Sequence, residues 1–175
     1  MPRPCREWTR VMDNPSQYFR AGVGAIIVNH EGLVLSLERT SMTGAWQLPQ
    51  GGLKTSEEPL HAVFREVEEE TGIPESALEL VEASPEPLAY ELPAAARSDK
   101  TGRGQVLYWF LFTFQGGDDL VNVTHGTEFR RFRWTTFDRV VEDVANFRKP
   151  LYRRLASQFQ TYLTAPSADD RPFRR

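Results

Sequence analysis

The sequence predicts an α/β domain, on three observations. Residues 23–28 and 105–114 are almost wholly apolar runs of strand length, the second reading QVLYWFLFTF. The stretch 51–73 carries apolar side chains at helical spacing beside a dense set of acids. From residue 138 onward the apolar positions return to a helical period. The length of 175 residues suits one domain with a real core, and 40% hydrophobic with 26% charged content is ordinary for a soluble globule.

Taken in order, residues 1–17 mix charges, two early prolines and no period, and are expected to form a flexible N-terminal extension in which Trp8 and Val11 pack locally at most. The run 23–28 reads as a buried strand. His30, Glu31 and Gly32 turn it into a partner over residues 33–39, a hairpin with Arg20 and Arg39 at its outer ends. Residues 41–50 form a loop that leads to Trp46 and Leu48, expected in the core, and to Gln47 and Gln50, expected toward a cleft. Gly51 and Gly52 let the backbone approach a ligand closely. Pro74 ends the helix, and strands are expected around Leu78, Leu80 and Val81 and over residues 88–92. Residues 93–104 read as a polar, flexible loop before the central strand at 105–114. A turn at 116–119 and a short strand at 121–123 follow. Residues 128–137 alternate in part, with Phe132 and Trp134 on one side; His125, nearby, is given no role. Residues 138–147 form a first helical piece, which Arg148, Lys149 and Pro150 interrupt. Leu151, Leu155, Phe159 and Leu163 then repeat every fourth residue, a helix packed on the sheet with Arg153 and Arg154 toward solvent. Residues 164–175 read as a disordered tail.

The stretch 51–73, GGLKTSEEPLHAVFREVEEETGI, organises the chain. Thr55 and Glu58 read as a capping box, and Pro59 falls in the first turn, where its missing N–H does least harm. Leu60, Val63, Phe64 and Val67 make a core-facing stripe, and Gly72 is the expected terminating glycine. Glu66, Glu69 and Glu70 share a face beside that stripe, at spacings where like charges cost roughly 0.2–0.5 kcal/mol per pair. They also sit near the helix end where the dipole disfavours anions, with Arg65 the cation at hand. Clustered oxygen ligands on a rigid element suit Mg²⁺ or Mn²⁺, which would neutralise the repulsion.

At these residues the chain resembles the Nudix hydrolases, whose box runs G-x5-E-x7-R-E-U-x-E-E-x-G-U with U aliphatic. Gly51, Glu57, Arg65, Glu66, Val67, Glu69, Glu70, Gly72 and Ile73 occupy its specified places without departure. The run Trp46-Gln47-Leu48-Pro49-Gln50-Gly51-Gly52 narrows the resemblance to the branch of bacterial RNA 5′-pyrophosphohydrolases and dinucleoside-tetraphosphate hydrolases. The resemblance covers residues 18–163 and implies the Nudix fold, a mixed β-sheet sandwiched between helices in α/β/α layers. It implies a metal site of Glu66, Glu69, Glu70 and Glu128, in which one glutamate takes a proton from the attacking water. It further implies phosphate-binding cations at Arg20, Arg39 and Arg148, and a base-stacking ring at Phe147. Gln50 and Gly51 would support the metal shell, while Glu57 and Arg65 would pair to orient loop and helix. One departure stands out: the cation that relatives carry just after a Gly-Gln pair is absent, because Gly104-Gln105 is followed by Val106, Leu107, Tyr108 and Trp109. Tyr108 is therefore a candidate to stack on a second base.

The implied activity is a metal-dependent pyrophosphohydrolysis of a nucleoside 5′-polyphosphate end. A 5′-triphosphate RNA end is the first expectation and a dinucleoside polyphosphate the alternative. A non-catalytic nucleotide- or RNA-binding module is the reading from another class, and the intact box argues against it. A net charge of −3 gives no global argument for bulk nucleic-acid binding, so DNA is not expected as a partner and local cations must hold any anionic ligand. Arg3, Arg6 and Arg10 are weak candidates for RNA contact. No run approaches the ~18 apolar residues of a membrane span. With no signal-peptide pattern and Cys5 as the single cysteine, a reducing, cytoplasmic location is expected. Protein partners are not legible.

Overall fold

The structure, a computed structural model, describes residues 17–124 and 126–163. Cys5, Trp8, Val11, the three early arginines, His125 and the expected C-terminal tail lie outside those residues. The strands are β1 (Phe19–Val28), β2 (Val34–Arg39), β3 (Trp46–Gln47), β4 (Gln50–Gly52), β5 (Leu78–Ala83), β6 (Leu88–Glu91), β7 (Gly104–Phe114) and β8 (Phe129–Thr135). The helices are α1 (Pro59–Thr71), α2 (Phe137–Asp143), α3 (Lys149–Gln158) and the single turn α4 (Gln160–Leu163).

All eight strands join one mixed sheet, with the order β3-β2-β1-β7-β5 along its main path. β1 and β7 run parallel through the centre, paired from Phe19 opposite Gly104 to Val28 opposite Thr113. β4 pairs with β1, β6 with β7, and β8 with β2, all antiparallel. Alternation along β7 sends Phe110, Phe112 and Phe114 into one core, under Val63 and Val67 of α1. Leu107, Trp109 and Leu111 enter the other, under Val140 of α2 and Leu151, Tyr152 and Leu155 of α3. The sheet thus lies between helices on both faces. Gly24 permits this density, since a Cβ there would meet the Trp109 ring at 2.5 Å.

Several local expectations are corrected. α1 starts at Pro59 and stops at Gly72, which donates its N–H to Glu68 O and whose φ of 72° turns the chain out of the helix. Its N-cap, however, is Glu58 with no side-chain cap bond, so the Thr55–Glu58 capping box is not formed. The turn before it is held instead by Glu57, which accepts from Lys54 N at 2.9 Å. Residues 121–123 form no strand, although Val121 and Val123 are buried beneath α1's core. Trp46 is only half-buried, because Arg131 and Arg133 cover its ring, whereas Leu48 is fully buried. Lys149 and Pro150 open α3 rather than interrupt a helix, since proline is tolerated in the first turn. The four-residue repeat then breaks at Phe159, whose φ of −101° and ψ of 20° separate α3 from α4.

Candidate active site

The site forms where β4 crosses β1 and the last turns of α1 lean over it. Gln50 and Gly51 lie opposite Gly24 and Val23, which brings the β4 backbone against the acidic side of α1. The Glu66 carboxyl packs directly on Gly51, where a Cβ would stand 1.9 Å from its Cδ. Glycine is therefore demanded by close approach rather than by backbone angle.

Arg65 is the hub of the arrangement. Its Nε and Nη2 donate to both Glu57 oxygens at 2.7 and 2.8 Å, and Nη2 also donates to Gly52 O at 3.0 Å. Nη1 reaches Glu66 at 2.7 Å and Glu69 at 3.4 Å. This fork joins the loop, β4 and α1, and it draws the Glu57 carboxyl down to a pKa of about 2. The three helix acids diverge in environment. Glu69 is largely exposed, with Lys54 4.0 Å away. Glu66 is mostly covered. Glu70 is buried, 8% exposed, and accepts from Gln50 N at 3.1 Å. Burial pushes its pKa well above the ordinary carboxylate range; the charges of Glu128 and Glu66 push the same way, against the Gln50 N–H and Arg39.

Glu128 stands just before β8, bound through Oε1 to Arg39 Nη1 at 2.9 Å. Arg39 Nη1 also donates to Gln47 Oε1 at 3.3 Å, and the same oxygen receives Arg148 Nη1 at 2.6 Å. One buried amide therefore bridges two cations beside the acids. The Arg148 guanidinium lies 5.2 Å from the Tyr90 ring centroid and 5.3 Å from that of Phe147. The two rings stand 5.7 Å apart. Gln50 Nε2 donates to Gln105 Oε1 at 3.1 Å and to Tyr90 Oη at 3.4 Å. Gln50 Oε1 and Arg148 Nε are buried without a partner. Arg20, exposed on β1, lies with a guanidinium nitrogen 3.4 Å from the Cβ position of Gly52.

The structure thus brings together Glu66, Glu69, Glu70, Glu128, Arg39, Arg148, Phe147, Gln50, Gly51, Glu57 and Arg65, with Arg20 at the margin. Tyr108, 38% exposed on β7, stands in one row with Val23 and Gly51 and apart from Phe147. Tyr108 lies on the α1 side of β7 with Phe110 and Phe112, while Phe147 packs on the other face. Sequence reasoning missed Tyr90 and Gln105 as lining residues. Their signal is weak, an alternating Leu-Ala-Tyr-Glu strand and a polar residue opening an apolar one.

The donor set is all oxygen, and the paired burial and repulsion at Glu70 are relieved by a hard divalent cation, so the residues fit one. Among the described residues no three acids stand at metal-holding separation, and Glu66 and Glu69 are both held by Arg65.

Comparison with known proteins shows the family and the fold. The NUDIX domain matches residues 18–155, and the chain belongs to the Nudix family of hydrolases. It is 38% identical over 157 residues to the RNA pyrophosphohydrolase of Zymomonas mobilis, covering 87% of this chain and all of that one. It is 34% identical to Nudix hydrolase 26, chloroplastic, of Arabidopsis thaliana, covering 87% of this chain and 74% of the relative. In fold it resembles a C. elegans Ap4A hydrolase binary complex, with TM-score 0.63, 19% identity and coverage of 81% of this chain and 98% of the other. Nudix hydrolases generally need divalent metal ions. Among the described residues no helix is long and apolar enough to cross a membrane.

Proposed function

We propose that this protein removes pyrophosphate from a 5′-triphosphorylated RNA end, leaving a 5′-monophosphate, with Mg²⁺ or Mn²⁺ held by Glu66, Glu69, Glu70 and Glu128. One observation carries the reading: Glu128, Arg39, Gln47, Arg148 and the Phe147–Tyr90 ring pair follow one another in a line. Acids for a cation, guanidiniums for phosphates and rings for a base stand in the order in which a nucleotide 5′-polyphosphate presents its parts. The relatives named RNA pyrophosphohydrolase point to the same substrate.

When bound, the divalent cation supplies charge neutralisation of the phosphate chain and acidification of the attacking water. The chain's own residues do the rest. Arg39 and Arg148 offset charge on the non-bridging oxygens, and as guanidiniums they remain charged throughout. A glutamate of the cluster accepts the proton as water adds to phosphorus and the phosphoanhydride bond breaks. Phe147, backed by the buried Tyr90, orients the base end, and Arg65 with Glu57 keeps α1 and β4 in register without touching substrate. Arg20 steadies the outer phosphates from the far side of Gly52.

The test compares kcat/KM for a 5′-triphosphorylated oligonucleotide and for diadenosine tetraphosphate, with Glu69→Gln as control. Preference for RNA, with release of pyrophosphate, is expected. A clear preference for the dinucleotide overturns the RNA reading, and equal inertness of wild type and variant on both overturns the enzyme.

A further inference from the structure

Beside the site, β8 carries an arginine pair that the hydrolysis described above does not use. Arg130 and Arg131 both give Nε to Glu38 Oε2, Arg130 at 2.7 Å. Glu38 itself is completely buried and also accepts from Gly44 N at 2.6 Å, so it ties the loop after β2 to both arginines. A carboxylate so placed needs its partners. Its partners, by contrast, remain open: the Arg131 side chain is 61% exposed and that of Arg130 37%. Because each arginine is held through Nε alone, its two terminal amino groups are available, and no described residue takes them.

The backing of this pair is also built. The Arg133 guanidinium sits 3.9 Å from the centroid of the half-buried Trp46 ring and that of Arg131 5.5 Å from it. Trp46 immediately precedes Gln47, the amide that bridges Arg39 and Arg148. Arg131 lies opposite Glu38 on the strand ladder, next to the Arg39–Phe129 pair. The pair is therefore two to three residues from Glu128 along β8, about 7–10 Å. Two cations supply two charges against the single charge of Glu38, on a chain whose net charge is −3.

We propose that Arg130 and Arg131, oriented by Glu38, bind a backbone phosphodiester of the RNA strand that continues beyond the 5′ nucleotide. This rests on the RNA reading above and deepens it, because a dinucleoside polyphosphate has no phosphodiester to offer. The guanidinium fork suits a phosphate, and Glu38 removes the ordering cost that two free arginines would incur.

The test uses the full chain and a single-stranded RNA of about twelve nucleotides bearing a 5′-hydroxyl, so that no polyphosphate engages the hydrolytic site. Binding is followed by fluorescence anisotropy over a range of salt. The variant is E38Q/R130Q/R131Q, which leaves no unpaired buried carboxylate. It is expected to bind about tenfold more weakly, with a salt slope shallower by roughly 0.7. R130K/R131K is expected to recover most of the affinity. Wild-type affinity and slope in a normally melting triple variant overturn the proposal. Should the triple variant not fold, R130Q alone carries the comparison, with weaker binding and a shallower slope than wild type expected. Hydrolysis separates this outcome from failure of the substrate reading. A wild type that binds the 5′-hydroxyl RNA through this pair yet leaves triphosphorylated RNA intact overturns the substrate and retains the arginine pair.

Discussion

Glu70 is the residue on which burial and function conflict most directly. Its carboxyl is nearly inaccessible, faces Glu66 and Glu128, and has one backbone N–H as compensation. Its proton affinity is raised in the fold, so the native state holds a proton that the unfolded chain releases above about pH 4.5. Stability therefore falls as pH rises from there through the raised pKa, unless a cation takes the proton's place. Glu70→Gln is expected to melt higher than wild type in chelator at pH 8, while hydrolysis drops by about 100-fold or more. A wild-type Tm at or above the variant's under those conditions contradicts the account. Gly51 faces a steric conflict instead. Gly51→Ala places a Cβ inside the Glu66 carboxyl, and about 1–3 kcal/mol of stability is expected to be lost with most of the activity. Denaturant titration of the purified variant checks this.

α1 and the loop before it are held as a unit by charge rather than by a cap. Glu57 accepts both forks of Arg65 and the Lys54 N–H, and its pKa falls to about 2. Glu38 is likewise held at about 2, first by Arg130 and then by Arg131. For a depressed carboxyl the stabilisation is complete above its unfolded pKa, 4.5 here, and disappears as pH falls toward 2. Glu57→Gln is expected to melt well below wild type at pH 6–8, with the two curves converging between pH 4.5 and 2. Melts recorded through that window would refute the link if the gap stayed constant. α3 is joined to the site differently, by the Tyr152 hydroxyl accepting from Leu48 N at 3.0 Å inside the second core.

Across the whole molecule the central sheet divides the aromatic residues between two faces. Phe147 and Tyr90 belong to the face with α3, and Tyr108 to the face with α1. Phe147→Ala is accordingly expected to raise KM for triphosphorylated RNA about tenfold, the loss of one stacked base, with a smaller effect on kcat. Tyr108→Ala is expected to leave both constants unchanged. If Tyr108→Ala impairs the reaction as much as Phe147→Ala does, the base rests on the α1 face of the sheet and not beside Phe147.

Much of this was legible in residue order. The acidic helix within residues 51–73, its glycine terminator, the central strand near 105–114 and the shared face of Glu66, Glu69 and Glu70 follow from local spacing, because 3.6- and 2-residue periods are properties of neighbours along the chain, whereas Glu128 came in only through the family resemblance. The same locality misled at Thr55, where a capping pattern was present but Glu57 and Lys54 made the turn, and at residues 121–123, where apolar residues were buried without pairing. Tyr90 and Gln105 had only a weak local signature and the Glu38–Arg130–Arg131 cluster had none. Their partners lie on other strands, and only the register of β2 with β8 and of β6 with β7 brought them together. The face on which Tyr108 lies was decided the same way, by the pleat of β7 against two cores packed at once. Chemistry carried by neighbouring residues can be read from their order, whereas chemistry assembled across strands exists only after register and side of the sheet are set by packing.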